Sequence, residues 1–394
     1  MSTKRKLALI IGCSYNFSNP PITPKLKGTC NDARHMASFL KQYCEYKDEN
    51  IVLMVDDVAT IRTTDRYPTR NNIFNQIRTI LNNAQPSDEV TFFYAGHGTQ
   101  QVVSSSSTEE SDRLNEVIVP VDYNIRTGAN AITDDTINSL LREFGKSQTQ
   151  ILLIFDCCHS GTMCDLNYTY NYERKTNIFT KSLSSNPRFD PTMDQSFINK
   201  PILSYVIALS GCKDNEVSAE ANMTFDGSNS EEGVLTSAFI YSIRTNPTST
   251  KDIFGIVRDM DKYTSKYNQH PVISSNMDLT TTDPTAKSIF DGAQYVPKSR
   301  SDTNDQLNNI NPNSVLTNTP LQPLNFNKTK INPMFGSNMS TMIPQKINQS
   351  HQWLTPEQIQ GLIAQNQANN NANKNIKRFT YKSLNQIDLT KFII

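Results

Sequence analysis

Two short stretches of this chain carry side chains able to do chemistry. Gln150 to Gly161 reads Gln-Ile-Leu-Leu-Ile-Phe-Asp-Cys-Cys-His-Ser-Gly, an apolar run leading straight into Asp156, Cys157, Cys158 and His159. Val90 to Tyr94 has the same grammar and breaks into Ala95-Gly96-His97-Gly98. A buried strand that ends in reactive groups presents them from a rigid scaffold, because binding and catalytic side chains gather on the loops at strand ends. A thiol has an ordinary pKa of about 8.5 and is mostly protonated near neutrality. A neighbouring imidazole can take that proton, so a Cys and a His far apart in sequence and close in space make a nucleophilic dyad. The glycines flanking His97 let the backbone turn sharply and leave the ring accessible. Cys157 and Cys158 compete for the nucleophile's role. Successive side chains on an extended backbone point opposite ways, so only one can face His97, and these residues alone leave the choice open. His159 is too close in sequence to serve as the base and reads as structural. The other thiols, Cys13, Cys30, Cys44, Cys164 and Cys212, read as core or incidental.

Carboxylates set the expected specificity. An anionic Asp156 just before the cysteines disfavours a nearby thiolate, so its placement needs a reason, and a substrate cation supplies one. Asp32 falls at the start of the first predicted helix, beyond the first strand, and parallel strands gather such loops at one edge. Two carboxylates lining one pocket pair with a guanidinium or an ammonium and repel a substrate Asp. The plainer alternative is that Asp32 caps its helix and Asp156 ends its strand.

The elements that must hold these groups follow from hydrophobic periodicity. Strands are predicted over 7–12, 51–55, 90–94, 117–121, 151–155, 205–209 and 270–274. Helices are predicted over 29–43, 70–82, from Thr133-Asp134-Asp135 onward, over 234–243 and over 251–267. Strands alternating with helices predict an α/β fold with a mostly parallel central sheet flanked by helices on both faces, occupying residues 1–290. Residues 162–200 read as an irregular loop. The segment 291–394 is rich in Asn, Gln, Ser and Pro and reads as a disordered tail, apart from a short helix after Leu354-Thr355-Pro356-Glu357.

Composition narrows the rest. At 394 residues and 37% hydrophobic content, part of the chain is expected to stay unpacked. Lys+Arg and Asp+Glu both total 38, so no global field steers nucleic acid or an anionic membrane. Seven cysteines without a Cys-x-x-Cys pair argue against a disulfide framework or a zinc ribbon, and point to a reducing compartment. The run 7–11 is too short for a signal peptide's apolar core and no stretch is long enough to span a membrane, so a cytoplasmic location is expected; a monomer is expected as well.

Taken together, Tyr94-Ala-Gly-His97-Gly, Asp156-Cys-Cys158-His-Ser-Gly, Leu26-Lys-Gly-Thr-Cys-Asn-Asp32-Ala, Val117-Ile-Val-Pro-Val-Asp122 and Ser210-Gly-Cys-Lys-Asp resemble the type I metacaspases, caspase-fold cysteine peptidases. The resemblance spans roughly Lys6 to Leu279, and spaced motifs in combination are more specific than any one alone. It implies a caspase-like sheet, cleavage after Arg or Lys, and activation by calcium. It selects Cys158, just before His-Ser-Gly, as nucleophile, with His97 as base and the backbone N–H groups of Gly98 and Cys158 receiving the oxyanion. It also implies Asp112, Asp134, Asp135 and Asp165 as calcium-holding aspartates, although Asp134 and Asp135 would equally suit the first turn of a helix. The chain departs from the family at Ala95, Cys157 and Thr29, where Ser, Ser and Cys are usual, and no Pro/Gln-rich segment precedes Lys6.

The reading is a calcium-stimulated cysteine endopeptidase acting on peptides with Arg or Lys before the scissile bond. Self-processing is expected in the loop after the nucleophile, at Arg174, Lys175, Lys181 or Arg188, because exposed loops are preferred nicking sites. The alternative is a non-catalytic caspase-fold scaffold using its tail for interactions, and the intact dyad argues against it. A redox role for the adjacent thiols lacks the usual Cys-x-x-Cys spacing.

Overall fold

The computed structural model describes residues 4–22, 24–58, 62–102, 114–158, 163–183, 193–211, 218–225, 228–245, 252–280 and 289–290, with short strands at 332–333, 344–347 and 350–353. The expectations for Asp112, His159, Arg188, Cys212 and nearly all of the tail lie outside the described residues. In chain order come β1 (Lys6–Gly12), α1 (Thr29–Tyr43), β2 (Ile51–Val55), α2 (Arg70–Asn83), β3 (Glu89–Ala95), β4 (Gly98–Val102), β5 (Leu114–Ile118) and β6 (Ile132–Thr133). Then follow α3 (Asp134–Phe144), β7 (Gln150–Asp156), β8 (Tyr168–Glu173), β9 (Ile178–Leu183), β10 (Tyr205–Ser210), β11 (Ala219–Phe225), β12 (Ser228–Gly233), α4 (Val234–Thr245), α5 (Ile253–Thr264) and β13 (Val272–Ser275).

Eight strands form the main sheet in the order β2-β1-β3-β7-β10-β13-β8-β9. The first five are mutually parallel, and β13, β8 and β9 complete the sheet antiparallel. Side chains on a strand alternate between faces, and β1 shows the result. Leu9 and Ile11 join a core under α2 and α3, while Ala8 and Ile10 join a core under α1, α4 and α5. Strands β3 and β7 split the same way: Phe92, Tyr94, Leu153 and Phe155 face one core, Phe93 and Ile154 the other. This is why their sequences read as unbroken apolar runs. The helices bury single stripes, Ile73, Ile77 and Ile80 on α2 and Met36, Phe39 and Leu40 on α1. Parallel strands must be joined by crossovers, so β1, β2, β3, β7 and β10 all end at one edge.

Two expectations need correction, and one hairpin was not foreseen. Residues 168–183 are a hairpin of the main sheet rather than an irregular loop, with Tyr168 paired to Leu183 and Glu173 to Ile178. Its alternation of Tyr168, Tyr170 and Tyr172 with polar residues is a strand period hidden by polar composition. Lys181 therefore lies within β9 opposite Tyr170, its ammonium 2.7 Å from Asp278. Second, the strand expected over 117–121 runs Leu114–Ile118 and pairs with β4 and β6 in a separate small sheet. Pro120 explains the early end, since proline has no N–H to give a ladder. Strands β11 and β12 form the unforeseen hairpin, which the Asn/Ser/Glu-rich composition of that segment concealed.

Candidate active site

Strands β3 and β7 are neighbours, with Ala95 opposite Asp156, so the chain beyond each strand emerges side by side. Gly98 packs against the main chain of Cys158 so closely that a Cβ at 98 would overlap the Cys158 carbonyl. His97 and Cys158 are thereby brought together from two strand ends. The two adjacent thiols diverge. Cys158 Sγ lies 3.3 Å from the main-chain N–H of Ser218, which donates to it. Cys157 is buried on the side of Tyr94 and Cys164, whose ionisation it opposes.

His97 is fully buried and held on several sides, where its flanking glycines had suggested an accessible ring. Its Nε2 donates to the Pro24 carbonyl at 2.7 Å, which makes Nδ1 the acceptor nitrogen of the neutral ring. Its ring stacks on Tyr15, centroids 4.5 Å apart and planes 15° from parallel. Burial pulls its pKa from the ordinary 6.5 down to about 3, only partly opposed by the Pro24 carbonyl, so the resting imidazole is neutral. The Val119 N–H donates to the His97 carbonyl at 3.1 Å. That bond flanks the first ladder pair, Gly98 and Ile118, which is therefore of the non-hydrogen-bonded kind. The Gly98 N–H is therefore turned away from the ladder.

Asp32 and Asp156 meet at Gly233. The Gly233 N–H donates to both Asp32 oxygens at 2.9 Å. A Cβ at 233 would overlap Asp156 and lie 2.9 Å from Asp32 Oδ2. Asp32 does not cap α1, whose N-cap is Gly28. Asp156 Oδ2 accepts the Thr236 N–H at 3.0 Å and the Thr236 hydroxyl at 2.6 Å, while Oδ1 accepts the Ser218 hydroxyl at 3.0 Å. Burial raises the pKa of both carboxyls, and Glu232 and Asp156 raise Asp32 further. Two buried carboxyls sharing a wall are electrostatically suited to a guest cation.

Nearby, Glu220 on β11 accepts from the Gly28 N–H at 2.7 Å and the Lys27 N–H at 3.1 Å, bracing the segment that carries Pro24. Burial moves its pKa up from 4.5 to about 7. The braces Tyr15, Pro24, Ser218, Glu220, Gly233 and Thr236 were not singled out from the sequence. The available signal was position, since small polar residues and a glycine between β10 and α4 must return over the same sheet edge.

The remaining aspartates collect elsewhere. Asp134 and Asp135 open α3, buried, and Glu116 on β5 packs against Asp134. The Asp134 carboxyl is held well above the usual range by burial, then by Glu116, with Asp165 and Asp135 adding to it. Asn115 donates to Asp135 Oδ2 at 2.8 Å. Cys164 and Asp165 both take positive φ, 81° and 46°, and the Asn138 amide clamps their carbonyls at 2.7 and 3.3 Å. Such backbone strain concentrates at ligand clamps. The hard oxygens of this set suit calcium in kind, although among the described residues no three His, Cys, Asp or Glu stand in position to hold an ion. Of the cleavage candidates, Arg174 and Lys175 lie beyond β8 at the turn into β9, Arg174 tied to Asp261 at 3.3 Å.

A family model described as metacaspase, peptidase C14 domain, matches residues 6–167. Metacaspase-1 of Mycosarcoma maydis is 32% identical over 70% of this chain and 71% of its own length. The chain belongs to the metacaspase family. Metacaspase-1 of Kluyveromyces lactis is 30% identical, covering 71% of this chain and 68% of that protein. Metacaspase-1 of Pyricularia oryzae is also 30% identical, covering 71% of this chain and 74% of that protein. Among solved structures, protein GSU0716 of Geobacter sulfurreducens overlaps with a TM-score of 0.45 at 18% identity, covering 72% of this chain and 97% of that one. As a type I metacaspase the protein is a cysteine-type endopeptidase, which sets the scaffold reading aside. Among the described residues no helix is long and apolar enough to cross a membrane.

Proposed function

We propose that this metacaspase cleaves peptides after Arg or Lys, with Cys158 as nucleophile and His97 as the proton carrier. The observation that carries the specificity is the meeting of Asp32 and Asp156 at Gly233, on the wall that also bears Ser218 and the Cys158 sulfur. A substrate guanidinium or ammonium would complement the charge of these two carboxylates. Cys158 Sγ attacks the scissile carbonyl as His97 Nδ1 takes the thiol proton, and the carbon–nitrogen bond breaks as that proton passes to the leaving amine. Water then attacks the thioester, restoring thiol and imidazole and releasing a carboxylate. The Gly98 and Cys158 N–H groups receive the oxyanion, the Gly98 N–H being turned away from its ladder.

Calcium stimulation belongs to the same reading. The hard oxygens of Glu116, Asp134, Asp135 and Asp165 suit the ion in kind and would have to draw closer together to hold it. Bound there, it would supply positive charge among carboxylates that burial and mutual repulsion crowd together. Self-cleavage is proposed at Lys175 or Arg174, because Lys181 is engaged in a strand.

A peptide library varied at the residue before the scissile bond, digested with and without added calcium, tests this function. Arg and Lys peptides should be cut, faster with calcium, and Asp peptides left intact. Efficient cutting after Asp would overturn the specificity, and equal rates with calcium and with a chelator would overturn the stimulation.

A further inference from the structure

We infer that Tyr15 is a positioning residue for His97, its ring serving as the face on which the imidazolium forms and its hydroxyl fixing the histidine's main chain. The inference rests on the dyad reading above and names a part of that site that no motif marks.

Tyr15 lies just past the end of β1 with φ 61°, a left-handed conformation that bulky residues rarely take. The turn is enforced from β2's end: Asp56 accepts the N–H of Ser14 at 2.6 Å and of Asn16 at 3.1 Å. This forced turn places a fully buried ring parallel to His97 at 4.5 Å. The Tyr15 hydroxyl accepts the His97 N–H at 2.8 Å and donates to the Val119 carbonyl at 2.8 Å. The Tyr94 hydroxyl, 3.1 Å away, donates to the His97 carbonyl at 2.8 Å. A tyrosine pair thus grips both main-chain groups of His97, one tyrosine also covers its ring, and Pro24 takes Nε2. Gly96 is required beneath them, since a Cβ there would overlap the Tyr94 hydroxyl.

The chemistry follows from the stack. Transfer of the Cys158 proton to Nδ1 makes a cation on a buried ring, where an aromatic face attracts positive charge more strongly than in solvent. Tyr15 therefore favours the proton's arrival, and its hydroxyl keeps His97 aimed while the charge changes.

The test uses the full-length protein and variants Tyr15→Phe and Tyr15→Leu. The readouts are kcat and KM on an Arg peptide, and the pH dependence of Cys158 alkylation by iodoacetamide, which reports thiolate and needs no substrate. Tyr15→Phe keeps the ring and should lose about 3- to 10-fold in kcat, with KM within about 2-fold and the alkylation profile unmoved. Tyr15→Leu should lose about 100-fold in kcat and move the alkylation profile to higher pH by about half a unit or more. A folded Tyr15→Leu with kcat within about 3-fold of the parent, or with kcat lost and an unmoved alkylation profile, overturns the inference. If Tyr15→Leu does not fold, Tyr15→Phe decides, and unchanged kcat or a loss confined to KM overturns it. His97→Gln separates the two readings. An active His97→Gln sinks the dyad itself, whereas an inactive His97→Gln beside a fully active Tyr15→Leu sinks only the role of Tyr15.

Discussion

Gly98 lies against Cys158 so tightly that no side chain fits between them. The loop after β3 and the loop after β7 are locked in register by that contact, and His97 inherits its place from it. Gly98→Ala should therefore cost about 1–3 kcal/mol of stability through overpacking against backbone. It should also lower kcat by about 100-fold or more, by moving a proposed oxyanion donor. Thermal unfolding and steady-state kinetics on one preparation check both, and wild-type kcat in Gly98→Ala would show that the contact is dispensable.

Asp32→Asn and Asp156→Asn remove charge while keeping an acceptor oxygen. Each should lower kcat/KM on Arg peptides by about 10- to 100-fold, the value of a desolvated charge-assisted contact. Asp156→Asn should be the more damaging to the fold, because its two oxygens accept from Ser218 and from both donors of Thr236, and an amide nitrogen cannot accept. Unchanged kinetics in both variants would exclude these carboxylates from specificity.

Two buried groups give opposite dependences of stability on pH. Burial lowers His97 from 6.5 to about 3, so its contribution is complete above about pH 6.5 and is lost as pH falls toward 3. Burial raises Glu220 from 4.5 to about 7, so its contribution is complete below about pH 4.5 and is lost as pH rises through 7. Glu220→Gln retains an oxygen for the Gly28 and Lys27 N–H groups and should be more stable than the parent at pH 8, by about 1–3 kcal/mol, with the gain vanishing by pH 4.5. Denaturant unfolding across pH 4.5–8 measures it. A parallel offset at every pH would show that Glu220 does not titrate as stated.

The parallel half of the fold was legible because its physics is local. Helices α1 and α2 and strands β1, β2, β3, β7 and β10 each carry a periodicity tied to a buried face, and the structure places them within a residue or two of their predicted bounds. Hairpins β8–β9 and β11–β12 were not legible, since their strands are polar and their partners distant. In the site, Cys, His and Asp stand out as residue types. Tyr15, Pro24 and Ser218 act through a ring face, a carbonyl and an amide N–H, functions that any sequence can supply and that only the fold can aim. Glu116 was passed over because its pairing with Asp134 depends on where the small sheet meets α3.

The β8–β9 hairpin restricts where the proposed self-cleavage can fall. Lys181 is held in the ladder and by Asp278, while Lys175 is exposed at the turn. Calcium-triggered self-cleavage, read by intact mass, should cut after Lys175 or Arg174 and be abolished by the double change Arg174→Gln and Lys175→Gln. A cut after Lys181 with the hairpin otherwise intact contradicts this assignment.

The central claim is that Cys158, beside a carboxylate wall, is the nucleophile of an Arg/Lys-directed peptidase. A peptide carrying a thiol-reactive electrophile after a terminal arginine, and its counterpart with aspartate in place of the arginine, test it in one experiment. After incubation with calcium, digestion with an unrelated peptidase and mass spectrometry should find the arginine reagent on Cys158, Cys157 unmodified, and no adduct from the aspartate reagent. Adduct on Cys157, or equal labelling by the two reagents, would contradict the account.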